Sequence, residues 1–355
     1  MSDSAVTQVS CDLAPRYGGN MCRACDVPGS TNSGEEDVNL EPFANTGTST
    51  YDGTGKNSPQ WWPSRYGEGD ELGAGNELSP QLTLEAIQLV REGRVLELAR
   101  VLEFGAPTWS PPGKEGARWY HQLVAAHGQM DAMPLGEVND MGYMEEHVSQ
   151  IYHIGTHLDG FGHIGIGGRY YNGLHYKDFY APAALNKLGI HNVRPWVTRG
   201  VLLNIAAVEG VDMLTEGFVI TPDHLEKACE LQDVEVRRGD AVILHTGYGA
   251  LWMVDNDRYN NDEPGIGWDA AHWLSDRRVT VVGADTWAIE VLPGEVPGAP
   301  FVVHQHLLTE TGTHLLENVK TEELLATGRS EFLFIMAPVK TKGSTSSMVN
   351  PLAVL

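Results

Sequence analysis

The amino-acid sequence predicts an α/β protein with a mixed sheet and flanking helices, because strand and helix patterns alternate along it. Two short apolar runs, 201–205 and Ala241–His245, are typical of buried strands. Between them, Thr221 followed by Pro222 predicts the capped start of a helix. Residues 279–285 repeat the strand pattern and place Asp285 at a carboxyl end, where sites in α/β sheets are often found.

Other segments continue the alternation. Ser79 and Pro80 predict a helix start, and residues 95–102 fit either a strand or a continuation of that helix. Further helices are predicted from Trp268, over 301–311 with a stop at Gly312, and over 321–327; further strands are predicted at 315–319 and 331–336.

Composition excludes several classes of protein. The chain has 355 residues, and its net charge of −23 would repel a phosphate backbone, which argues against nucleic acid as a partner. No apolar run reaches transmembrane length, so no membrane partner is expected. The first residues lack the basic-then-apolar order of a signal peptide, and we therefore expect a cytoplasmic location.

The two ends of the chain differ in composition. Residues 1–58 are rich in Ser, Gly, Asn, Asp and Thr, which predicts a flexible or wrapping arm, while 59–355 is predicted to form one catalytic domain. Residues 112–145 interrupt the periodic pattern and predict a long insertion, either a functional lid or a solvated excursion. Cys22 and Cys25 form a CxxC pair in the arm that lacks the context of a zinc or redox site.

One stretch concentrates metal-binding residue types. His153, His157, Asp159 and His163 fall within eleven residues, and imidazole and carboxylate are ligands for zinc, manganese and iron(II). A helix is disfavoured, because each of the three glycines within the stretch would cost about 1 kcal/mol relative to alanine.

An extended chain explains the spacing better. All four positions are odd-numbered, so at a period of two they share one face, with His157 and Asp159 about 7 Å apart. On a straight strand His153 would lie roughly 13 Å from His157, too far to share an ion. Gly155 permits a bend that returns His153 to the others.

The stretch has two other interpretations. Gly160 to Gly165 fits the dinucleotide pattern GxGxxG, but the apolar strand before it and the helix after it are missing. The histidines are alternatively satisfied polar groups of the core or surface, which is the better interpretation for any single one. Four candidate ligands at matched positions favour a metal site.

The stretch resembles the HxGTHxDxxxH signature of the metal-dependent cyclase/amidohydrolase family, which includes bacterial kynurenine formamidase, isatin hydrolase and manganese-dependent lactamases. The resemblance runs from about residue 70 to the C-terminus. It includes His245-Thr-Gly-Tyr-Gly, the segment Pro-Gly-Ile-Gly-Trp268, Val-Gly-Ala-Asp285-Thr and a distal His304…Glu317 pair. The resemblance implies a swivelling β/β/α-type fold in a single cyclase-family domain, and a homodimer or homotetramer. Kynurenine formamidases commonly have Pro after the Asp; Gly160-Phe161-Gly162 stands here, which leaves the substrate open.

The resemblance implies that His304 and Glu317 complete the metal site. Glu317 lies in an apolar strand, where a carboxylate needs a partner, although the exposed face of an edge strand would also accommodate it. His306 and His314 fit the pattern less well, and a role exchanged between His304 and His306 stays open.

The chemistry follows from this ligand set. The absence of a thiolate favours catalytic zinc or manganese, as one ion or as two that share Asp159. His163 is placed to act as general base and then acid while activated water opens an amide, lactam or lactone. The alternatives are a cyclase or dehydratase, and a metal-binding protein without catalysis. The aromatic candidates for contact with a flat small-molecule substrate are Trp109, Phe161 and Tyr170.

Overall fold

The computed structural model describes residues 60–109, 119–125, 138–139 and 144–355. The predicted arm over 1–58, including its CxxC pair, lies outside these residues, as does most of the predicted insertion over 112–145. Within the described ranges, no helix is long and apolar enough to cross a membrane.

The molecule is organised around a nine-stranded mixed sheet, which confirms the predicted α/β class. Its strands run in the order β1-β13-β11-β5-β7-β9-β10-β4-β12, and two-stranded sheets β2-β3 and β6-β8 lie beside it. The strands are β1 (Val95–Glu97), β2 (Trp119–Ala125), β3 (Glu145–Gln150), β4 (His157–Asp159), β5 (Trp196–Asn204), β6 (Val219–Ile220), β7 (Ala241–His245), β8 (Gly265–Ile266), β9 (Val281–Ala284), β10 (His314–Glu317), β11 (Glu331–Met336), β12 (Ser346–Met348) and β13 (Leu352–Val354).

Short helices connect these strands. They are α1 (Pro80–Ile87), α2 (Tyr176–Phe179), α3 (Ile205–Val208), α4 (Pro222–Leu231), α5 (Asn256–Asn261), α6 (Trp268–Asp276), α7 (Val302–His304) and α8 (Glu322–Leu325). The predicted caps are present: the Ser79 hydroxyl accepts a hydrogen bond from the Leu82 amide at the start of α1, and Thr221 with His224 forms a capping box on α4.

The predicted strands and helices from residue 201 onward are confirmed, with shifts at their ends. Residues 95–102, which fitted either a strand or a helix in the sequence, form β1 only over Val95–Glu97 and then continue as irregular chain. Strands β2 and β3 pair antiparallel and were not predicted; β2 lies within the predicted insertion, and β3 begins at its last residue. Few apolar repeats mark this region, so a ribbon held together by backbone pairing gives little signal in the sequence.

The centre of the sheet sets the position of the site. Strands β5, β7, β9 and β10 run parallel, and β4 pairs antiparallel with β10. The start of β4 therefore lies at the edge where the parallel strands end, and His157 stands opposite Glu317.

Both faces of these parallel strands are buried, as parallel sheets require. On one face, Val242 and Leu244 of β7 join a cluster that includes residues of α4 and α6. On the other face, Ala241 and Ile243 join a second cluster with residues of β1 and β11. The alternation follows the strand period of two.

The helical segment before β10 has an unusual turn. Helix α7 continues as a π-helix over Gln305–Thr311, and the chain leaves it at Gly312 with a left-handed φ of 70°. This confirms the predicted stop. A side chain at Gly312 would clash with the ring of Tyr171, so the position requires glycine.

Candidate metal centre

Strand β4 presents two of the predicted ligands on one face. Leu158 and Leu316 both point into the cluster shared with β1 and β11, so His157 and Glu317 face the opposite side of the sheet together. His157 Nδ1 lies 2.8 Å from the Gly155 carbonyl oxygen and donates to it. Its Nε2 is thereby directed at Glu317 Oε2, 3.1 Å away, and at Asp159 Oδ1, 3.5 Å away.

The chain bends sharply just before this strand. Gly155 adopts a left-handed φ of 56°, so the bend that the sequence permits is present. It returns His153 to the group, with Nδ1 2.8 Å from Asp159 Oδ1. The Nε2 atom of His153 lies 3.1 Å from the Thr345 hydroxyl, which orients the ring from behind.

The distal pair reaches the same point from another direction. Glu317 ends β10, and His304 ends α7, with His304 Nε2 3.2 Å from Glu317 Oε1. The same nitrogen lies 4.0 Å from Asp159 Oδ2. Two overlapping groups result, His153–His157–Asp159 and Asp159–His304–Glu317, and within each group the ligand atoms lie within 4.8 Å of one another.

The residues fit a divalent cation. His157 Nε2 and both carboxylate oxygens of Asp159 are buried and form no well-aligned hydrogen bond, although His153 Nδ1 and Glu317 Oε2 lie at hydrogen-bonding distance. Such burial is costly unless something else satisfies these atoms. Ligand atoms held tetrahedrally at bonds of about 2.1 Å are separated by roughly 3.4 Å. The 3.1–3.5 Å spacings around His157 Nε2 match that separation.

The electrostatics of the group are dominated by its carboxylates. Burial alone would lower the pKa of His157, but Glu317 and Asp159 raise it to about 9. Burial would likewise lower the pKa of His304, yet Glu290 and Glu317 raise it well above the ordinary value. Buried negative charge at this strength attracts a cation.

His163 stands at the open side of the group. Its ring stacks on that of His153, with centroids 3.8 Å apart, and its Nε2 lies 3.7 Å from Asp159 Oδ2. Burial lowers the pKa of His163 to about 4, although Asp159 opposes the shift. The imidazole is therefore neutral at pH 7 and available to accept a proton.

A cavity of about 330 Å³ opens onto these imidazoles. Trp109 lines it and stacks on Trp287, with centroids 5.3 Å apart and planes 15° apart. Phe301 meets Trp109 edge-on at 5.9 Å. The remaining wall is mainly aliphatic, from Ile151, Ile154 and Ile164, with Asn260 and Asn318 as amides. The cavity thus offers a flat, apolar wall beside the candidate ligands.

Two of the aromatic candidates lie elsewhere. Phe161 is 2% exposed and packs in the core, its ring 4.1 Å from that of His314 and 4.6 Å from that of Tyr171. It shares the odd numbering of the ligands, but β4 ends at Asp159 and the chain turns, so the common face ends there. Tyr170 packs edge-on against Phe179, 5.2 Å away. Neither Phe161 nor Tyr170 lines the cavity, which argues against direct contact with substrate.

The two less favoured histidines have other contacts. His306 turns away from the group, with Nε2 2.9 Å from the Ser275 hydroxyl and Nδ1 2.9 Å from Glu310 Oε2. An exchange of roles with His304 is therefore not supported. His314 Nδ1 donates to the backbone carbonyl of Asp159, at 2.7 Å, and helps to position that residue.

Sequence reasoning missed three buried residues that support the group. The Thr156 hydroxyl donates to the Asn318 carbonyl oxygen, at 2.6 Å, and the Asn318 amide donates to the Gly155 carbonyl, at 3.0 Å. Glu290 accepts a hydrogen bond from the backbone amide of His304, at 3.1 Å. Of these three, only Glu290 could have been found from the sequence. It stands between Ile289 and Val291, and an acid among apolar residues needs a partner.

Comparison with known proteins identifies the family of the chain. The family model Cyclase, described as "Putative cyclase", matches residues 96–291, which is more than half of the chain. No curated protein matches the sequence significantly.

Solved structures share the fold. A crystal structure described as a novel cyclase is 28% identical, covers 82% of this chain and 96% of its own, and gives a TM-score of 0.74. An isatin hydrolase bound to the product analogue thioisatinate is 20% identical, with 78% and 99% covered and a TM-score of 0.56. Isatin hydrolase A from Ralstonia solanacearum is also 20% identical, with 73% and 91% covered and a TM-score of 0.53. By the match of the family model, the chain belongs to the cyclase family.

Proposed function

We propose that this protein is a metal-dependent hydrolase that opens an amide, lactam or lactone bond. One observation carries the proposal: buried ligand atoms without partners converge beside a cavity, and an imidazole that neither ligand group needs, His163, faces the same space. A site that only stores a cation has no need of that imidazole.

The ligand set supports zinc or manganese. His153, His157 and Asp159 would hold one ion, and Asp159, His304 and Glu317 would hold a second if two are bound. When bound, such a cation lowers the pKa of a coordinated water and polarises a carbonyl oxygen.

His163 moves the proton in this proposal. Its Nε2 takes a proton as a water oxygen adds to the carbonyl carbon, and it returns the proton to the leaving nitrogen or oxygen as that bond breaks. Asp159, 3.7 Å from the same nitrogen, stabilises the imidazolium in between. The product is a carboxylate with a free amine or hydroxyl.

The cavity wall supports a flat substrate of the aryl formamide or cyclic amide class. Trp109, Trp287 and Phe301 provide aromatic surface, and rings prefer offset or edge-on contact with other rings. The isatin hydrolases that share the fold are named for a substrate of this kind.

A cyclase or dehydratase is the second candidate, and the name of the 28% identical relative favours it. The same cation and His163 would then move a proton without adding water. The family resemblance further supports a homodimer or homotetramer, which light scattering of the purified protein would measure.

The test combines metal analysis with a substrate panel. Purified protein is analysed for bound zinc and manganese, then assayed in ¹⁸O-labelled water with N-formylkynurenine, isatin, simple lactams and lactones. We expect turnover of at least one compound, with one labelled oxygen in the product carboxylate. Turnover without label would favour the cyclase, and bound metal with no turnover would favour a binding protein. A His147→Ala variant, changed at an exposed position of β3, serves as the matched control.

A further inference from the structure

Glu290 is a buried acid that takes no part in the proposed reaction. Its side chain is 3% exposed, and within the described parts of the chain it forms no ion pair with a lysine or arginine. Its Oε2 accepts the backbone amide of His304, at 3.1 Å, and lies 3.4 Å from Nδ1 of the same residue. Burial of a carboxylate is costly unless it has a partner, so its position beside one imidazole indicates a role.

The backbone fixes Glu290 firmly in this position. Ile289 adopts a left-handed φ of 63°, and its carbonyl accepts the Ile266 amide, at 2.9 Å. On the other side, the Val291 amide donates to the Ile266 carbonyl, at 3.2 Å. A β-branched residue with positive φ is retained only where its surroundings hold it, so the carboxylate is placed by a rigid segment.

The effect of Glu290 on His304 follows from the chemistry of imidazole. His304 presents Nε2 to Glu317 and Asp159, so its proton belongs on Nδ1. A carboxylate 3.4 Å from that Nδ1 is too far for a short hydrogen bond, but its charge favours the tautomer protonated at Nδ1. It also increases the electron density at Nε2, which strengthens its bond to a metal.

The three imidazoles of the ligand groups differ in what contacts the ring nitrogen that faces away from the group. The ring atom of His157 that faces away from the group meets a neutral carbonyl, and that of His153 meets a neutral hydroxyl. Only His304, among these three, is backed by a carboxylate. Its side chain is also 3% exposed, against 24% for His153.

We propose that Glu290 is a positioning residue that fixes His304 and makes Asp159–His304–Glu317 the tighter of two unequal cation sites. The His153–His157–Asp159 group is then the weaker, more exchangeable one. This inference rests on the proposed function only in that a divalent cation binds at these groups.

The chain contains a matched control. Glu310 Oε2 lies 2.9 Å from His306 Nδ1, so it too places a carboxylate behind an imidazole, and closer than the 3.4 Å between Glu290 and His304. His306, however, faces Ser275 and not the ligand group. Replacing Glu310 removes the same charge from the same kind of pair outside the site.

The experiment measures binding of Zn²⁺ alone to metal-free wild type, Glu290→Gln and Glu310→Gln by competition with a chromophoric chelator at pH 7. Glutamine keeps the shape of Glu290 and an oxygen that accepts the His304 amide, and circular dichroism checks that each variant is folded. Outer ligand partners typically contribute 10–100-fold to metal affinity. We expect Glu290→Gln to weaken the tighter site by about that factor, Glu290→Asp to weaken it less, and Glu310→Gln to match wild type.

A second measurement separates positioning from a merely structural role. With a hydrolysed substrate, the kcat of Glu290→Gln should return towards wild type in excess Zn²⁺, with KM unchanged. Wild-type Zn²⁺ affinity in Glu290→Gln, or equal losses in Glu290→Gln and Glu310→Gln, would overturn the inference. If wild type binds neither Zn²⁺ nor Mn²⁺, the proposed function fails together with the inference.

Discussion

The candidate centre has two halves that are built differently. The contiguous half, formed by His153, His157, Asp159 and His163, comes from eleven consecutive residues around β4. The dispersed half, formed by Glu290, His304 and Glu317, comes from a loop, a helix and another strand. In the contiguous half, His153 and His163 have side chains that are 24% and 30% exposed. In the dispersed half, every side chain is at most 8% exposed.

Both halves contribute side chains to the cavity lining, but the more exposed imidazoles, His153 and His163, belong to the contiguous half. In the proposed function the contiguous half therefore exchanges protons with substrate, and the more deeply buried dispersed half holds charge in place. Asp159 connects them, since its oxygens lie 2.8 Å from His153 and 4.0 Å from His304. Four predictions test this comparison.

The largest effect is expected at the residue that both halves share. Asp159→Asn keeps the size of the side chain but removes the charge common to both ligand groups. We expect both Zn²⁺ affinity and turnover to fall by more than the 10–100-fold that a change behind a ligand causes. Metal analysis and steady-state kinetics measure the two losses. Retained metal with retained turnover in Asp159→Asn would remove Asp159 from the centre.

Replacing His163 should separate catalysis from cation binding. Loss of a general base typically lowers the rate by roughly 10²–10⁴. We therefore expect His163→Ala to lose this much kcat while it keeps wild-type Zn²⁺ content, with His147→Ala again as the control. If His163→Ala loses its metal, then His163 is a ligand, and the contiguous half has a different role from the one proposed.

The hydrogen bonds of Thr156 that join the two halves should contribute to the free energy of unfolding. The Thr156 hydroxyl donates to the Asn318 carbonyl and accepts the Arg100 amide, at 2.8 Å, while fully buried. Thr156→Val keeps the shape but leaves both groups unpaired, which should lower the free energy of unfolding by about 1–3 kcal/mol. Urea denaturation of the metal-free protein measures this. An unchanged midpoint would show that the halves are held together by other contacts.

The smallest effect is expected at the cavity wall. Trp109→Ala removes one ring from the stack with Trp287, and an aromatic contact contributes about 0.5–1.5 kcal/mol. KM for an aromatic substrate should rise by about 2- to 12-fold, with Zn²⁺ content unchanged. Tyr170→Ala, at a ring that does not line the cavity, should leave KM close to wild type. The reverse result would place the substrate against Tyr170 and away from Trp109.

The sequence predicted the contiguous half because its geometry is local. A period of two places His157 and Asp159 on one face, and the glycine at 155 marks the bend that returns His153. The same rule carries no further than Asp159, because parity holds only while the strand continues, and β4 is three residues long. Where a strand ends depends on its neighbours β10 and β12, which lie far along the chain.

The residues of the dispersed half are brought together by the topology of the fold, so local sequence patterns do not predict that they meet. His304 and His306 look alike in sequence, yet only the turn of the helical segment decides which one faces Glu317. Family resemblance identified His304 and Glu317, while Glu290 was missed because its partner is 14 residues away in a different element. The fold class was easier to predict, since alternating strand and helix patterns recur over the whole region from residue 201.

The residues of the cavity wall and the candidate ligands lie in different kinds of structural element. Trp109, Trp287 and Phe301 all stand outside the strands of the large sheet, whereas His157, Asp159 and Glu317 lie within two adjacent strands of it. Loop residues accept substitution more readily than residues held in a sheet. If the proposed function holds, substitutions at the wall should change substrate preference while the cation centre keeps its geometry, and a combinatorial library at the three wall positions is the direct way to measure this.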